Sequence, residues 1–166
     1  MPKPSSLQCR WWKVAFFLIA LLVLASDQLS KQWIRSYPEG QSVFQFGFFQ
    51  IVRINANSGA AFGLFRGQQP VLTVVSLLAV AAILTYVLWL YPRFPLPYGV
   101  LGKVALGLIL GGTAGNLIDR LNPGLQGVTD FIMVAWWPVF NVADSAITIG
   151  GVLLAGCLLL LARAER

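Results

Sequence analysis

Four long apolar segments dominate the pattern of hydrophobic and polar positions along this chain. Each is about as long as a helix must be to cross the hydrocarbon core of a bilayer, which takes about 20 residues. The segments cover about residues 12–30, 70–91, 100–120 and 138–162. The pattern therefore predicts a single polytopic membrane domain over residues 1–166, an all-α bundle of four transmembrane helices.

The first apolar segment admits two interpretations, because a basic stretch precedes it. Lys3, Arg10 and Lys13 before a short apolar core are also typical of a secretory signal peptide. We favour a retained helix, since Asp27 and Lys31 continue the helical pattern with the i, i+4 spacing of an ion pair. Asp27 is then a structural acid tied to Lys31, and its place at the membrane edge leaves a functional role open.

The third apolar segment contains three glycines at four-residue spacing, Gly107, Gly111 and Gly115. This spacing places small residues on one face of a helix. Such a face lets a neighbouring helix approach closely inside a membrane. We therefore expect the third helix to pack tightly against another span.

The longest piece between the apolar segments, residues 32–69, is too apolar for an exposed flexible loop. Residues 43–54 are rich in Phe, Val and Ile and alternate partly around Gly47, which predicts one or two short strands or a hairpin. Asn57 and Gly59 follow in a run of small residues that lets the backbone approach closely. Asn57 either forms an Asx turn or donates to a substrate backbone. The piece is expected to form a small β-containing platform at the membrane surface.

The distribution of Lys and Arg sets the expected topology. The two terminal segments hold five basic residues, and the short connection between the second and third spans adds Arg93. The two opposite loops have a lower density of basic residues, so the positive-inside rule places both termini in the cytoplasm. The regions around Asn57, Asp119, Asp130 and Asp144 then lie together on the outer side.

The composition indicates a membrane environment and excludes several kinds of catalysis. The chain is 57% hydrophobic and only 11% charged, whereas soluble domains are about one quarter charged. Its net charge of +6 lies mostly at the chain ends and beside apolar segments, which suits anionic lipid headgroups better than nucleic acid. The absence of histidine excludes Ser-His and Cys-His catalysis and histidine-bound metals. We expect no metal and no cofactor.

A polar stripe begins the fourth apolar segment. Asn141, Asp144, Ser145 and Thr148 follow the i, i+3, i+4, i+7 spacing of one helix face. Placing an acid near lipid costs about 3 kcal/mol on insertion scales, and Ser or Asn would link helices at lower cost. We therefore favour a functional Asp144, although an acid near a positive helix N-terminus is the structural alternative. Asn141 and Thr148 can equally serve in hydrogen bonds between helices.

Asp130 lies in an apolar-flanked and extended stretch, where by itself it would be interpreted as an interfacial acid that caps a turn. A second acid at the same depth, Asp144, changes that interpretation. Two close carboxyls share a proton, because both cannot ionise easily. The ionised carboxylate can take a proton from water while the protonated carboxyl donates to a carbonyl oxygen. The pair predicts hydrolysis without metal, histidine or a nucleophilic side chain.

The end of the third segment holds three further polar residues. Asp119 is interpreted as one partner of an ion pair that locks the outer end of the bundle. Arg120 can also hold a phospholipid headgroup or a substrate carbonyl. Asn116 lies one helical turn from Arg120 and faces the same way.

Five short motifs together resemble the bacterial lipoprotein signal peptidase family, also called signal peptidase II. They occupy residues 27–31 (DQLSK), 57–63 (NSGAAFG), 115–120 (GNLIDR), 128–132 (VTDFI) and 140–145 (FNVADS). The set is specific because all five occur in order on a four-span chain without histidine. Ser30 and Thr129 depart mildly from the expected pattern, where threonine and valine are commoner.

The resemblance implies an aspartic endopeptidase of the bacterial inner membrane. Its substrate would be a prolipoprotein with a diacylglyceryl-modified cysteine, cut just before that cysteine. Asp130 and Asp144 would be the catalytic pair. Residues that would bind substrate or support the site are Asp27, Asn57, Gly59, Asn116, Arg120 and Asn141. Expected partners are lipidated prolipoproteins and membrane phospholipids, with no nucleic acid, and the protein is expected to be a monomer.

Two other functional classes account for acids at a membrane edge. A small transporter or proton-coupled channel would use them as steps along a path. Against it, the acids cluster at one face of the membrane and leave its inner half without ionisable stepping stones for a proton or solute. A structural assembly partner would tolerate conservative changes at both Asp130 and Asp144.

Overall fold

Four helices form the main body of the protein. The structure, a computed structural model, describes residues 6–57, 67–91, 93 and 99–164. The helices are α1 (Ser6–Arg35), α2 (Gln69–Thr85, continued by the π-helical turns Tyr86–Leu90), α3 (Gly99–Leu121) and α4 (Val142–Ala164). Within these described ranges, four helices are long and apolar enough to cross a membrane. The predicted four-helix bundle is therefore confirmed.

A four-stranded antiparallel sheet lies at the end of the bundle where α1 and α3 end and α4 begins, here called the sheet end. Its strands are β1 (Ser42–Phe46), β2 (Phe49–Val52), β3 (Ile132–Val134) and β4 (Trp137–Phe140), adjacent in that order. The β1–β2 hairpin turns at Gly47, which has a φ of 56°, a backbone conformation that glycine adopts at no steric cost. Pairing of β2 with β3 adds a second hairpin to the predicted one.

Two helix boundaries differ from the prediction. Helix α1 continues to Arg35 instead of ending near residue 30, because the polar side chains of its last turns are buried against α3. Helix α4 begins at Val142 and not at residue 138, because residues 137–140 pair with β3. Asn141 therefore precedes the helix, and the predicted polar stripe loses its first member. A short apolar run has no periodicity that separates a strand from a helical turn.

Helix α3 lies at the centre of the bundle because glycines bring it close to two neighbours. A Cβ atom on Gly111 would lie 2.5 Å from the backbone oxygen of Ala20 in α1. A Cβ atom on Gly112 would lie 2.5 Å from the backbone oxygen of Ala143 in α4. The predicted groove of small residues on α3 is thus confirmed, and it receives α1.

A buried apolar and aromatic cluster fills the bundle at the end opposite the sheet. It joins α1, α2 and α3 through Trp12, Phe16, Ala20, Val87, Tyr91, Leu106 and Leu110. The polar groups buried between the helices are concentrated nearer the sheet end, among them Asp27, Lys31, Asn116 and Asp119. The two ends of the bundle are therefore held by different forces.

The close approach of α1 and α3 predicts a stability effect at Gly111. Gly111→Ala puts a methyl group against the Ala20 carbonyl, so the two helices must separate at a cost of about 1–3 kcal/mol. We expect a lower melting temperature for the detergent-purified variant. Gly151→Ala is the matched control, because a Cβ atom there meets nothing within 4 Å. Equal melting temperatures for the two variants would contradict the close contact.

Candidate active site

A cavity of about 670 Å³ opens between α2, α3 and α4 beside the sheet. Asp130, from the segment that follows α3, and Asp144, from the first turn of α4, both line it. The other polar residues that line the cavity are Asn57, Ser76, Thr113, Asn116, Arg120, Ser145 and Thr148. The remaining walls are mostly apolar. The structure thus brings the two predicted acids to one cavity.

Asp144 is held by a reciprocal capping box at the N-terminus of α4. The Asp144 N–H donates to Asn141 Oδ1 at 2.9 Å, and the Asn141 N–H donates to Asp144 Oδ2 at 3.2 Å. This arrangement satisfies backbone donors that have no partner inside the helix. Asn116 Nδ2 donates to the other carboxylate oxygen, Asp144 Oδ1, at 2.8 Å. The start of the helix therefore fixes the Asp144 carboxylate in the cavity wall.

Asp130 is held by two asparagines and is almost completely buried. Asn141 Nδ2 donates to Asp130 Oδ1 at 2.7 Å, and Asn57 Nδ2 donates to Asp130 Oδ2 at 2.9 Å. Asn57 is itself positioned by two backbone hydrogen bonds with Val128, at 2.7 and 2.9 Å. Asn57 thus contacts Asp130, a partner that neither interpretation of the sequence named.

The environment of Asp130 changes its acidity. Burial, and secondly the charge of Asp144, raise the pKa of Asp130 from 3.8 to about 7. Hydrogen bonds from Asn57 and Asn141 act in the opposite direction, because they favour the ionised form. The Asp130 carboxyl is therefore able to carry a proton near neutral pH, as one member of a proton-sharing pair must.

Four charged side chains form a buried ionic cluster that does not line the cavity. Lys31 Nζ lies 2.8 Å from Asp27 Oδ2 and 3.4 Å from Asp119 Oδ2. Arg35 Nη2 lies 2.7 Å from Asp119 Oδ1. The ion pairs predicted for Asp27 and Asp119 are therefore confirmed, and the partners of Asp119 come from α1. The cluster ties α1 to α3.

Asp27 supports the first turn of α4 from within this cluster. Its Oδ1 accepts a hydrogen bond from the Ala143 N–H at 3.0 Å. Gly115 lies directly against the Asp27 carboxylate, where a Cβ atom has no room. Asp27 therefore acts on the turn that carries Asp144, and it does not line the cavity.

Arg120 and Asn116 extend from α3 to different neighbours. Arg120 Nη1 donates to Ser76 Oγ at 3.3 Å, which links the cavity wall to α2. Asn116 Oδ1 accepts from Lys31 Nζ at 2.9 Å and from Asn141 Nδ2 at 3.1 Å. Gly59 lies outside the residues that the structure describes. No group of three or more Cys, Asp or Glu able to hold a metal ion occurs within the described part of the chain.

Thr129 is a supporting residue that the sequence did not indicate. Its N–H donates to Asp119 Oδ2 at 2.9 Å, and its Oγ1 accepts from Arg35 Nε at 2.8 Å. These contacts fix the backbone next to Asp130 to the buried ionic cluster. Only the departure from valine distinguished Thr129 in the sequence, and that departure predicts no contact.

Comparison with known proteins gives one consistent result. The model of the family described as "Signal peptidase (SPase) II" matches residues 19–160. A lipoprotein signal peptidase of Moorella thermoacetica is 44% identical over 147 residues, covering 87% of this chain and 93% of that protein. One of Dehalococcoides mccartyi strain CBDB1 is 43% identical over 138 residues, covering 82% and 84%. A solved "Bacterial membrane enzyme structure by the in meso method at 2.3 A resolution" superposes with a TM-score of 0.79 at 29% identity, covering 92% of both chains.

The raised pKa of Asp130 predicts how stability changes with pH. Between pH 4 and 7 the folded protein holds a proton that the unfolded chain has released, so stability falls as the pH rises. We expect the melting temperature to fall between about pH 4 and pH 7, with a smaller fall in Asp130→Asn, which has no such proton. Glu39→Gln, at an exposed acid, is the control and should follow the parent protein. Parallel curves for the parent protein and Asp130→Asn would refute this assignment.

Proposed function

The chain belongs to the signal peptidase II family, and from that premise we propose that Asp130 and Asp144 hydrolyse the peptide bond that releases the signal peptide. The enzyme is a peptidase that removes signal peptides from lipoproteins. This membership sets aside the transport and assembly hypotheses. The observation that carries the proposal is that both acids line one cavity and are connected through Asn141 and Asn116.

The two acids have different surroundings, which support different roles. Asp130 is almost completely buried and has a pKa raised to about 7, so it is assigned the shared proton. Asp144 is only partly buried and accepts hydrogen bonds at the N-terminus of α4, where a negative charge is favoured. Asp144 is therefore assigned as the base and Asp130 as the acid.

In the proposed reaction, the Asp144 carboxylate takes a proton from a water molecule as that water attacks the scissile carbonyl carbon. Asp130 donates its proton to the carbonyl oxygen, which gives a neutral tetrahedral intermediate. The C–N bond then breaks as the leaving nitrogen receives the proton held by Asp144. Asp130 recovers a proton from an intermediate hydroxyl, so the pair returns to its starting state.

The position of the cavity supports sideways entry of the substrate. Its walls combine residues of α2, such as Val75 and Ala79, with residues of α4, such as Ile147 and Ile149. An opening between helices with apolar walls suits a substrate that is itself a membrane span with acyl chains. We assign the cut to the bond just before the lipidated cysteine, where the acyl chains remain on the lipid side.

The sheet is proposed to rest on the outer surface of the bacterial inner membrane. Exposed aromatic side chains occur along it, namely Phe44, Phe46, Phe48, Trp136 and Trp137. Aromatic side chains are enriched at membrane interfaces. Both termini then lie in the cytoplasm, with the basic residues near anionic lipid headgroups and not on nucleic acid. The proposed working unit is a monomer, because one chain supplies both acids and their hydrogen-bond partners.

The assignment of the acids predicts the effect of removing each one. Asp144→Asn and Asp130→Asn should lower the rate by at least about a hundredfold, the usual contribution of a general acid or base. The assay measures cleavage of a synthetic diacylglyceryl-cysteine peptide by the detergent-purified variants. Glu39→Gln removes an exposed acid that pairs with Arg53, and it should retain the parent rate. Full activity of either aspartate variant would remove that residue from the catalytic pair.

The proposed topology predicts the behaviour of reporter fusions. Green fluorescent protein fused after residue 166 should fluoresce, since that end is assigned to the cytoplasm. Alkaline phosphatase inserted at residues 122–124, an exposed turn at the sheet end, should be active. The opposite result for both reporters would invert the proposed orientation, and with it the side on which cleavage occurs.

A further inference from the structure

We propose that Lys31 is a positioning residue for the hydrolysis, because it orients and polarises the Asn116 amide that donates to Asp144. Lys31 does not line the cavity, and the proposed proton transfers do not involve it. The inference rests on the proposed function, since it needs Asp144 to be the base. It assigns the central cation of the buried ionic cluster a role beyond joining α1 to α3.

The contacts of Lys31 account for its full donor capacity. The side chain has no exposed surface. Its ammonium group lies 2.9 Å from Asn116 Oδ1, 2.8 Å from Asp27 Oδ2 and 3.4 Å from Asp119 Oδ2. An ammonium group has three donors and no acceptor. Two of the three contacts neutralise its charge, and the third faces a neutral amide that has a different partner in the cavity.

The direction of the hydrogen bonds follows because the Lys31 ammonium group has donors and no acceptor. Lys31 can only donate, so Asn116 must turn its oxygen toward Lys31 and its NH₂ group toward Asp144. Asn141 Nδ2 also donates to Asn116 Oδ1, but it is shared with Asp130 Oδ1 and the Thr129 carbonyl oxygen. Lys31 is the charged donor that fixes the amide, and a charged donor forms the stronger hydrogen bond.

Lys31 acts on the Asp144 carboxylate through the Asn116 amide, and it forms no direct ion pair with Asp144. A lysine in contact with Asp144 would bind the carboxylate and oppose its protonation by water. Through Asn116, the positive charge instead strengthens a neutral N–H donor. The other charged groups around the pair are Arg120 in the cavity wall and Asp27, Asp119 and Arg35 in the buried ionic cluster. Among these four, Arg120 alone shares the cavity with the two acids.

Two charge-neutral double variants separate positioning from stability. Lys31→Met with Asp27→Asn removes the Lys31–Asp27 and Lys31–Asp119 ion pairs together with the hydrogen bond to Asn116. Arg35→Met with Asp119→Asn removes the Arg35–Asp119 and Lys31–Asp119 ion pairs and leaves Lys31 in contact with Asn116. Each variant removes one cation and one acid from the buried ionic cluster. The measurements are melting temperature, kcat, KM and the pH dependence of kcat on the synthetic diacylglyceryl-cysteine peptide.

We expect both double variants to melt at lower temperatures. Relative to the Arg35 variant, the Lys31 variant should lose about a further tenfold to hundredfold in kcat, as expected for a charge-assisted hydrogen bond, with little change in KM. The pH–kcat profile of this variant should also change, because Asn116 no longer holds its NH₂ group on Asp144. Equal pH profiles for the two variants would show that Lys31 is structural only.

Two further variants keep the test decisive if the Lys31→Met, Asp27→Asn protein does not fold. Lys31→Arg retains a donor-only charged group, and it should keep the pH profile of the parent enzyme. Lys31→Gln loses the charge, and it should show the changed profile. If Lys31→Gln has the same pH–kcat profile as the parent enzyme, the inference about Lys31 is overturned and the proposed roles of Asp130 and Asp144 are unaffected. A fully active Asp144→Asn would instead overturn the proposed function itself.

Discussion

The side chain of Asn141 is the single group on which the arrangement of the site depends. Its oxygen caps α4 by accepting the Asp144 N–H, while its NH₂ group donates to Asp130. An N-cap is worth about 1 kcal/mol to a helix, so helix formation and alignment of the two carboxyls are the same event. The N-terminus of α4 therefore helps to set the position of the Asp144 carboxyl relative to the Asp130 carboxyl.

The buried ionic cluster provides the second constraint. Burying an unpaired charge costs several kcal/mol, and α1 and α3 together bury two acids with a lysine and a partly buried arginine. Each acid also accepts a backbone hydrogen bond, Asp27 from Ala143 and Asp119 from Thr129. The cluster thus holds both segments that carry the proposed catalytic acids, through Ala143 beside Asp144 and through Thr129 beside Asp130. Polar contacts hold the helices together at the sheet end, as apolar packing does at the opposite end.

Local patterns in the sequence were sufficient for the spans, the β1–β2 hairpin and the glycine groove, because each depends on residues close together in the chain. The pairing of β2 with β3 was not predicted, since it joins residues about 80 positions apart. Residues 138–140 were assigned to a helix because a short apolar run fits either state. For the site, composition indicated acid–base hydrolysis, but the meeting of Asp130 and Asp144 came from the family resemblance. Thr129 and the Lys31–Asn116 contact had no signal, because they depend on tertiary packing.

The order of elements along the chain has a consequence for how the enzyme matures. Lys31 lies on the first helix, Asp130 follows the third, and both Asn141 and Asp144 belong to the start of the fourth. During synthesis, the Asp130–Asp144 pair and its hydrogen bonds can form only once α4 has entered the membrane beside α3. With Asp130 and Asp144 as the proposed catalytic pair, the nascent chain is catalytically silent until its last span is inserted. The same topology makes hydrolytic activity a readout of complete insertion.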